Sequence, residues 1–200
     1  MENKREYYKE FNIDPQIIEM VKTAENTVKE SFDQIDHVKE QNQLKVIRAM
    51  QRERLSDTHF SGTTGYGYND RGREILDAVY AHAFSAEDAL VRHSITCGSH
   101  ALSLCLYGIL RPGDELLSIT GKPYDTLEEV IGIRGEEGSG SLKDYGITYS
   151  QVELNNGLID DQAIIKAINN RTKLVFIQRS RGYAWRPALT ISEIERVVKL

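Results

Sequence analysis

Thr96-Cys97-Gly98-Ser99-His100-Ala101-Leu102 reads as a strand end that turns directly into a helix, and this junction sets the fold class. Gly98 allows close backbone approach. Ser99 is placed to cap the helix, and the free N–H groups of its first turn converge on one point with the positive end of the helix dipole behind them. A phosphate-binding turn and a merely well-capped turn share this pattern, and on these residues alone both readings stand. The phosphate loop of nucleoside triphosphatases is excluded, because no Gly-Lys-Ser/Thr follows and Gly121-Lys122 leads into Pro123.

On either side of the junction strands and helices alternate. The pattern predicts a helix over residues 74–84, a strand over 89–96, a helix over 100–110 and a strand over 115–119. A helix near 126–131, a strand over 147–153, a helix over 160–169, a strand over 173–178 and a helix from Ser192 follow. Such alternation predicts an α/β fold with a mainly parallel sheet and crossover helices. Before it, residues 1–56 read as a helical arm. Asp14-Pro15 is an N-cap followed by proline at the first helical position, and Ile17, Ile18, Val21, Ala24 and Val28 recur at helical spacing. A second helix is expected over 35–55, with Val38, Leu44, Ile47 and Met50 inward. Between arm and alternation, Asp57 to Arg73 is a long loop rich in glycine and tyrosine, of the kind that is functional or disordered. The last helix opens with a capping box, Thr190-Ile191-Ser192-Glu193, and the chain stops at Leu200 with no C-cap. The expectation is a truncated protein; the alternative is a complete small α/β domain ending in a helix.

With 40% hydrophobic and 28% charged residues the composition is that of a soluble globular chain. No apolar run approaches the roughly 20 residues of a bilayer helix, and Met1 to Glu6 lacks a signal-peptide core, so a cytoplasmic location without membrane partners is expected. The net charge of −5 argues against a nucleic-acid partner, and the basic residues of 48–54 read as a solvated helix face. Cys97 and Cys105 match no zinc or disulfide spacing and read as buried small residues. The five histidines show no metal-ligand pairing.

In a parallel sheet the strand end at Thr120-Gly121-Lys122-Pro123-Tyr124 lies at the same edge as the Gly98 junction, where ligands of open α/β sheets bind. Tyr124 is then placed to lie flat on a planar ring whose phosphate sits at Gly98 to His100, or else to pack on its own loop. Arg179 and Arg181, past the strand Leu174-Val175-Phe176-Ile177, suit a phosphate or a substrate carboxylate, or a solvated loop. The glycine-rich stretch 135–141 reads as a mobile surface loop.

The motifs at 96–102, Leu110-Arg111-Pro112-Gly113-Asp114-Glu115-Leu116-Leu117, Gly121-Lys122-Pro123-Tyr124-Asp125-Thr126 and Gln178-Arg179-Ser180-Arg181-Gly182-Tyr183 together resemble the methionine gamma-lyase-like proteins. These are also called aluminium resistance proteins, a branch of the Cys/Met-metabolism pyridoxal-phosphate enzymes. The resemblance runs over nearly the whole chain in motif order. It implies the aminotransferase-like (fold type I) architecture, with residues 57–200 a partial domain for pyridoxal 5'-phosphate, and a homotetramer built as a dimer of dimers. By the same resemblance Gly98 and Ser99 offer N–H groups to the phosphate, His100 flanks them and Tyr124 stacks on the pyridine ring. Tyr66 or Tyr68 with Arg71 reach the phosphate of a neighbouring subunit, although their spacing differs from the family's Tyr-x-Arg. Pyridoxal chemistry also needs a Schiff-base lysine and an acid for the pyridine nitrogen. Lys122 and Lys173 do not fit, so both groups are expected beyond Leu200, and the 200 residues alone are expected to be inactive. The implied activity is a carbon–sulfur lyase acting on a sulfur amino acid. Because one fold hosts many chemistries, the alternatives are an aminotransferase, a beta-eliminating lyase, or a non-catalytic interaction module using the N-terminal helices.

Overall fold

The computed structural model describes residues 10–68 and 70–200. They form two compact units, one ending at Arg92 and one beginning at His93.

In the first unit, α1 (Pro15–Thr27) starts as its sequence dictates: the Asp14 carboxylate accepts the Gln16 N–H at 2.8 Å and Pro15 takes the first helical position. Thr23 and Thr27 turn their hydroxyls back onto the carbonyls four residues earlier, each at 2.9 Å, a pattern that weakens and bends helices. The chain breaks at Val28 and resumes as α2 (Lys29–Arg52). A 3-10 turn (Asp57–Phe60) and α3 (Arg71–Phe84) complete the unit. Its core is small: Ala49 of α2 against Val79 and Ala83 of α3, with Ile75 beside them. A Cβ on Gly72 would lie 2.5 Å from the His59 carbonyl oxygen, so only glycine lets α3 lie this close to the 3-10 turn. The expected inward faces of the arm are corrected here. Val38, Leu44, Ile47 and Met50 are all exposed, because α2 runs for 24 residues and α3, its packing partner, for 14; on the apolar face of α1, Ile17 and Val21 are exposed as well.

The expected strand over 89–96 does not form; those residues are irregular. The Val91 N–H that a ladder would use goes to the Asp77 carboxylate at 2.7 Å, and Arg92 pairs with the same carboxylate at 2.8 Å.

In the second unit, α4 (Gly98–Ile109), β1 (Glu115–Ser118), α5 (Asp125–Ile131), β2 (Thr148–Gln151), α6 (Asp161–Ala167), β3 (Thr172–Phe176) and α7 (Ile191–Val198) follow in order. The three strands form a parallel sheet in the order β2-β1-β3, with Leu116 opposite Tyr149 on one side and Leu174 on the other. β1 is buried throughout. Its pleat sends Leu116 into a core with Leu106, Leu110, Leu127, Ile131, Leu142 and Ile147, and Leu117 into a second core with Ile119, Val152, Ile164 and Val197. Helices α4 and α5 therefore cover one face and α6 and α7 the other, the arrangement that a parallel sheet requires. Helix α7 carries the expected capping box between Thr190 and Glu193.

The glycine-rich stretch 135–141, expected to be mobile, is tied down. The Asp144 carboxylate accepts the N–H groups of Gly138, Gly140 and Ser141 at 2.9–3.0 Å, and the Tyr107 hydroxyl donates to the Gly140 carbonyl at 2.6 Å. Among the described residues no helix is long and apolar enough to cross a membrane.

Candidate functional site

Helix α4 begins directly after the irregular segment, with Cys97 in extended conformation as its N-cap. The Cys97 sulfur accepts the His100 N–H at 3.4 Å, so the cap is Cys97 and not Ser99. Ser99 instead lies inside the first turn, where its hydroxyl donates to the Thr126 hydroxyl at 3.0 Å and ties the start of α4 to the start of α5. Both cysteines are exposed, against the expectation that they are buried; the cap position holds Cys97 at the helix mouth. Helical geometry leaves the N–H groups of Gly98 and Ser99 without an intrahelical acceptor. A Cβ built on Gly98 would meet nothing within 4 Å, and both residues line the cleft described below.

The β1 end is held rigidly. Ser118, fully buried, donates to the Gly121 carbonyl at 2.6 Å, and the Gly121 N–H reaches Val152 across the sheet at 2.9 Å. Lys122 is turned to the buried Glu128 at 2.9 Å. Tyr124 then caps α5 and presents its ring to the same edge. Its N–H donates to the Gln178 side-chain oxygen at 2.7 Å, and the Gln178 N–H donates to the Thr120 hydroxyl at 2.9 Å. Gln178 thus joins the ends of β1 and β3. The Gly182 backbone lies along the Tyr124 ring, since a Cβ there would sit 3.7 Å from Cε2. Tyr183 and, next, Asp125 raise the Tyr124 phenol above its ordinary range, so it stays protonated at neutral pH.

Past β3, Arg186 reaches back to the carbonyls of Ser180 at 2.8 Å and Gln178 at 3.3 Å and folds residues 178–186 over the edge. Arg179 donates its Nε to the Leu189 carbonyl at 2.9 Å.

Between these walls runs a cleft of about 710 Å³, lined by Cys97, Gly98 and Ser99 at the start of α4, Tyr124 and Thr126 at the start of α5, and Gln178 and Arg179 past β3, with Leu102 and Phe176 among its apolar lining. The structure brings together Gly98, Ser99, Tyr124 and Arg179 of the sequence candidates. His100 and Arg181 do not line the cleft: the His100 ring faces the Thr96 N–H at 3.4 Å, and Arg181 donates to the Arg186 carbonyl at 3.4 Å. Tyr66, Tyr68 and Arg71 belong to the unit ending at Arg92, and both tyrosine side chains are exposed. Sequence reading missed Gln178, Thr126 and Arg186; the one local sign was Gln178 standing at a strand end. Among the described residues no lysine and no carboxylate lines the cleft. Two N–H groups at a helix start, an aromatic ring and a guanidinium suit a planar ligand with an anionic end.

A profile of the family described as methionine gamma-lyase matches residues 17–200. An uncharacterized protein of Bacillus subtilis (strain 168), YnbB, is 52% identical over 167 residues, covering 83% of this chain and 40% of that protein. Among solved structures, a carbon-sulfur lyase involved in aluminum resistance from Clostridium novyi NT is 44% identical with a TM-score of 0.89, covering 100% of this chain and 48% of that one. A provisionally named cystathionine beta-lyase involved in aluminum resistance from Clostridium acetobutylicum is 43% identical with a TM-score of 0.89, covering 98% and 47% respectively. The chain thus spans less than half the length of these relatives. Matched over nearly its whole length and folded as these lyase-named proteins are, the chain belongs to the methionine gamma-lyase family.

Proposed function

We propose that the complete protein is a pyridoxal-phosphate-dependent carbon–sulfur lyase acting on a sulfur amino acid, and that these 200 residues carry the phosphate side of its cofactor site. One observation carries this reading: the α4 N-terminus, the Tyr124 ring and the Arg179 loop converge on a single cleft. The Gly98 and Ser99 N–H groups hold the phosphate, aided by the helix dipole, and the cleft that both residues line admits it. Tyr124 stacks on the pyridine ring, and the Ser99–Thr126 bond fixes the distance between phosphate and ring sites. His100 supports the turn from outside the lining. Arg179 takes the substrate carboxylate with its terminal amino groups while its Nε stays anchored on Leu189; Arg181 is one residue pair further out on the same loop. When bound, the cofactor supplies an electron sink for the carbanion formed beside the substrate amino group.

Lys122 is committed to Glu128, Lys173 lies on β3, and among the described residues no lysine or carboxylate lines the cleft; in this reading the Schiff-base lysine and the acid for the pyridine nitrogen are supplied from outside these residues. The reading places residues 57–200 as part of an aminotransferase-like domain preceded by the arm 1–56, in a cytoplasmic homo-oligomer assembled as a dimer of dimers. Tyr66 or Tyr68 with Arg71 then reach a neighbouring subunit's phosphate. Beta-elimination is a second reading, favoured by the cystathionine beta-lyase name of one solved relative. The products separate them: gamma-elimination of methionine yields 2-oxobutanoate, beta-elimination yields pyruvate, and an aminotransferase releases no ammonia.

The test is the visible absorption spectrum of the protein made from its complete reading frame, before and after borohydride. A band that borohydride bleaches, and that Tyr124→Ala weakens by loosening the cofactor, supports the reading. No band even with added pyridoxal phosphate overturns it in favour of an interaction module.

A further inference from the structure

A ring that stacks on a cofactor must itself be held, and Tyr124 is held from two elements. Its carbonyl accepts the Leu127 N–H at 2.9 Å, inside the first turn of α5. Because Tyr124 is the N-cap of α5, its own N–H has no acceptor in that helix. The donor is met from the end of β3, where the Gln178 side-chain oxygen accepts it at 2.7 Å across 54 residues of sequence. The ring lines the cleft, is 42% exposed, and has the Gly182 backbone along it.

The other end of the same amide is also used. Gln178 Nε2 donates to the Ser180 carbonyl at 3.2 Å, an oxygen to which Arg186 also donates at 2.8 Å. The amide therefore faces one way only, since a flip would set N–H against N–H and oxygen against oxygen. Between Gln178 and Ser180 stands Arg179, its Nε anchored on Leu189. One side chain thus ties the backbone of Tyr124 to the loop that carries Arg179.

We propose that Gln178 is a positioning residue of the cleft: its amide sets the Tyr124 ring at a fixed place relative to Arg179. The proposal rests on the lyase reading above and adds to it a residue that acts through Tyr124. A stacking surface ordered in advance strengthens binding, because less freedom is lost when the ligand arrives.

The experiment uses the protein made from its complete reading frame, as wild type, Gln178→Met, Gln178→Glu, Tyr124→Ala and the Gln178→Met/Tyr124→Ala double variant. The Gln178 N–H can bond Thr120 in every one, because that link to the end of β1 runs through the backbone. Amide exchange is expected to rise at Tyr124 in Gln178→Met and to stay near wild type in Gln178→Glu, which keeps an oxygen for that N–H. Leu116 and Leu117 are expected to stay protected in both. Gln178→Met is expected to raise the pyridoxal-phosphate dissociation constant about three- to tenfold, as loss of one neutral hydrogen bond does, and to shift the circular dichroism of the cofactor band. In the Tyr124→Ala background it is expected to add nothing, since the ring it acts through is gone. Unchanged exchange at Tyr124 in Gln178→Met overturns the proposal, and so does equal loosening of the cofactor with and without the ring. A rise in exchange that spreads to β1 in the Met and Glu variants alike also overturns it, because Gln178 then serves the fold. A wild type that takes up no pyridoxal phosphate overturns the lyase reading, and this role with it, before any variant is compared.

Discussion

Glu115 lies in the buried central strand with both carboxylate oxygens taken: Ser150 donates at 2.5 Å and Asn169 at 2.7 Å, one from each side of β1, and Arg171 stands 4.0 Å away. Burial pushes its pKa up, but the bonds from Asn169 and Ser150 and the Arg171 charge outweigh this and hold the carboxyl below its usual range. A carboxyl with a depressed native pKa adds stability above its unfolded pKa and loses that contribution as pH falls through the native value. Glu115→Ala is therefore expected to cost about 1–3 kcal/mol near neutral pH, measured by denaturant unfolding, and the difference from wild type should shrink in acid. A difference that holds constant with pH would remove the carboxylate from the account. Individual residues were only partly legible in the sequence. Tyr124 announces itself by following the turn Gly121-Lys122-Pro123 at the end of β1, and Gly98 by opening a helix. Gln178 follows a strand end but gives no sign of its role, and Arg186 gives none at all, because their partners lie across the sheet edge or on carbonyls that become neighbours only once residues 178–186 fold back. Ser99 was misassigned as the cap by a shift of two residues in the helix start.

Helices and loops make their own demands. Thr190 caps α7 by accepting the Glu193 N–H at 3.2 Å while Glu193 accepts the Thr190 N–H at 2.7 Å. Thr190→Ala should cost about 1 kcal/mol, and amide exchange should rise first in the opening turn of α7; protection unchanged there would mean that packing of Val197 alone holds the helix. Asp144 gathers three N–H groups of the glycine-rich turn, with the Gly138 bond its largest influence, and its pKa is lowered. The turn should thus stay closed at neutral pH and open as pH falls through that depressed value. Asp144→Asn should raise exchange at Gly138, Gly140 and Ser141 even at neutral pH, and exchange equal to wild type would refute the anchoring role. β1 was legible because its apolar run between turn residues marks a strand buried on both faces, and β3 because of Leu174-Val175-Phe176; β2, Thr148–Gln151, carries no such run and was legible only from its place in the alternation. Residues 89–96 carry a similar run and failed to form a strand because Asp77, on another element, takes the Val91 N–H. A side chain that captures a ladder donor leaves no local sign.

The molecule divides at Arg92, and Asp77 holds that boundary residue by an ion pair. Trypsin should cut after Arg92 slowly in the native chain and several-fold faster in Asp77→Asn, because the arginine must leave its carboxylate to enter the protease; equal rates would show that the segment is accessible regardless. The order of the sheet carries a further consequence, for synthesis. β1 is the central strand, but both of its neighbours come later in the chain, and Phe176 lies 58 residues beyond Ser118. At roughly 5–20 residues per second a ribosome needs about 3–12 s to deliver β3 after β1. During that interval Leu116 and Leu117, which end fully buried, have no complete sheet to enter, and the nascent chain must be kept from pairing with its neighbours on the same message.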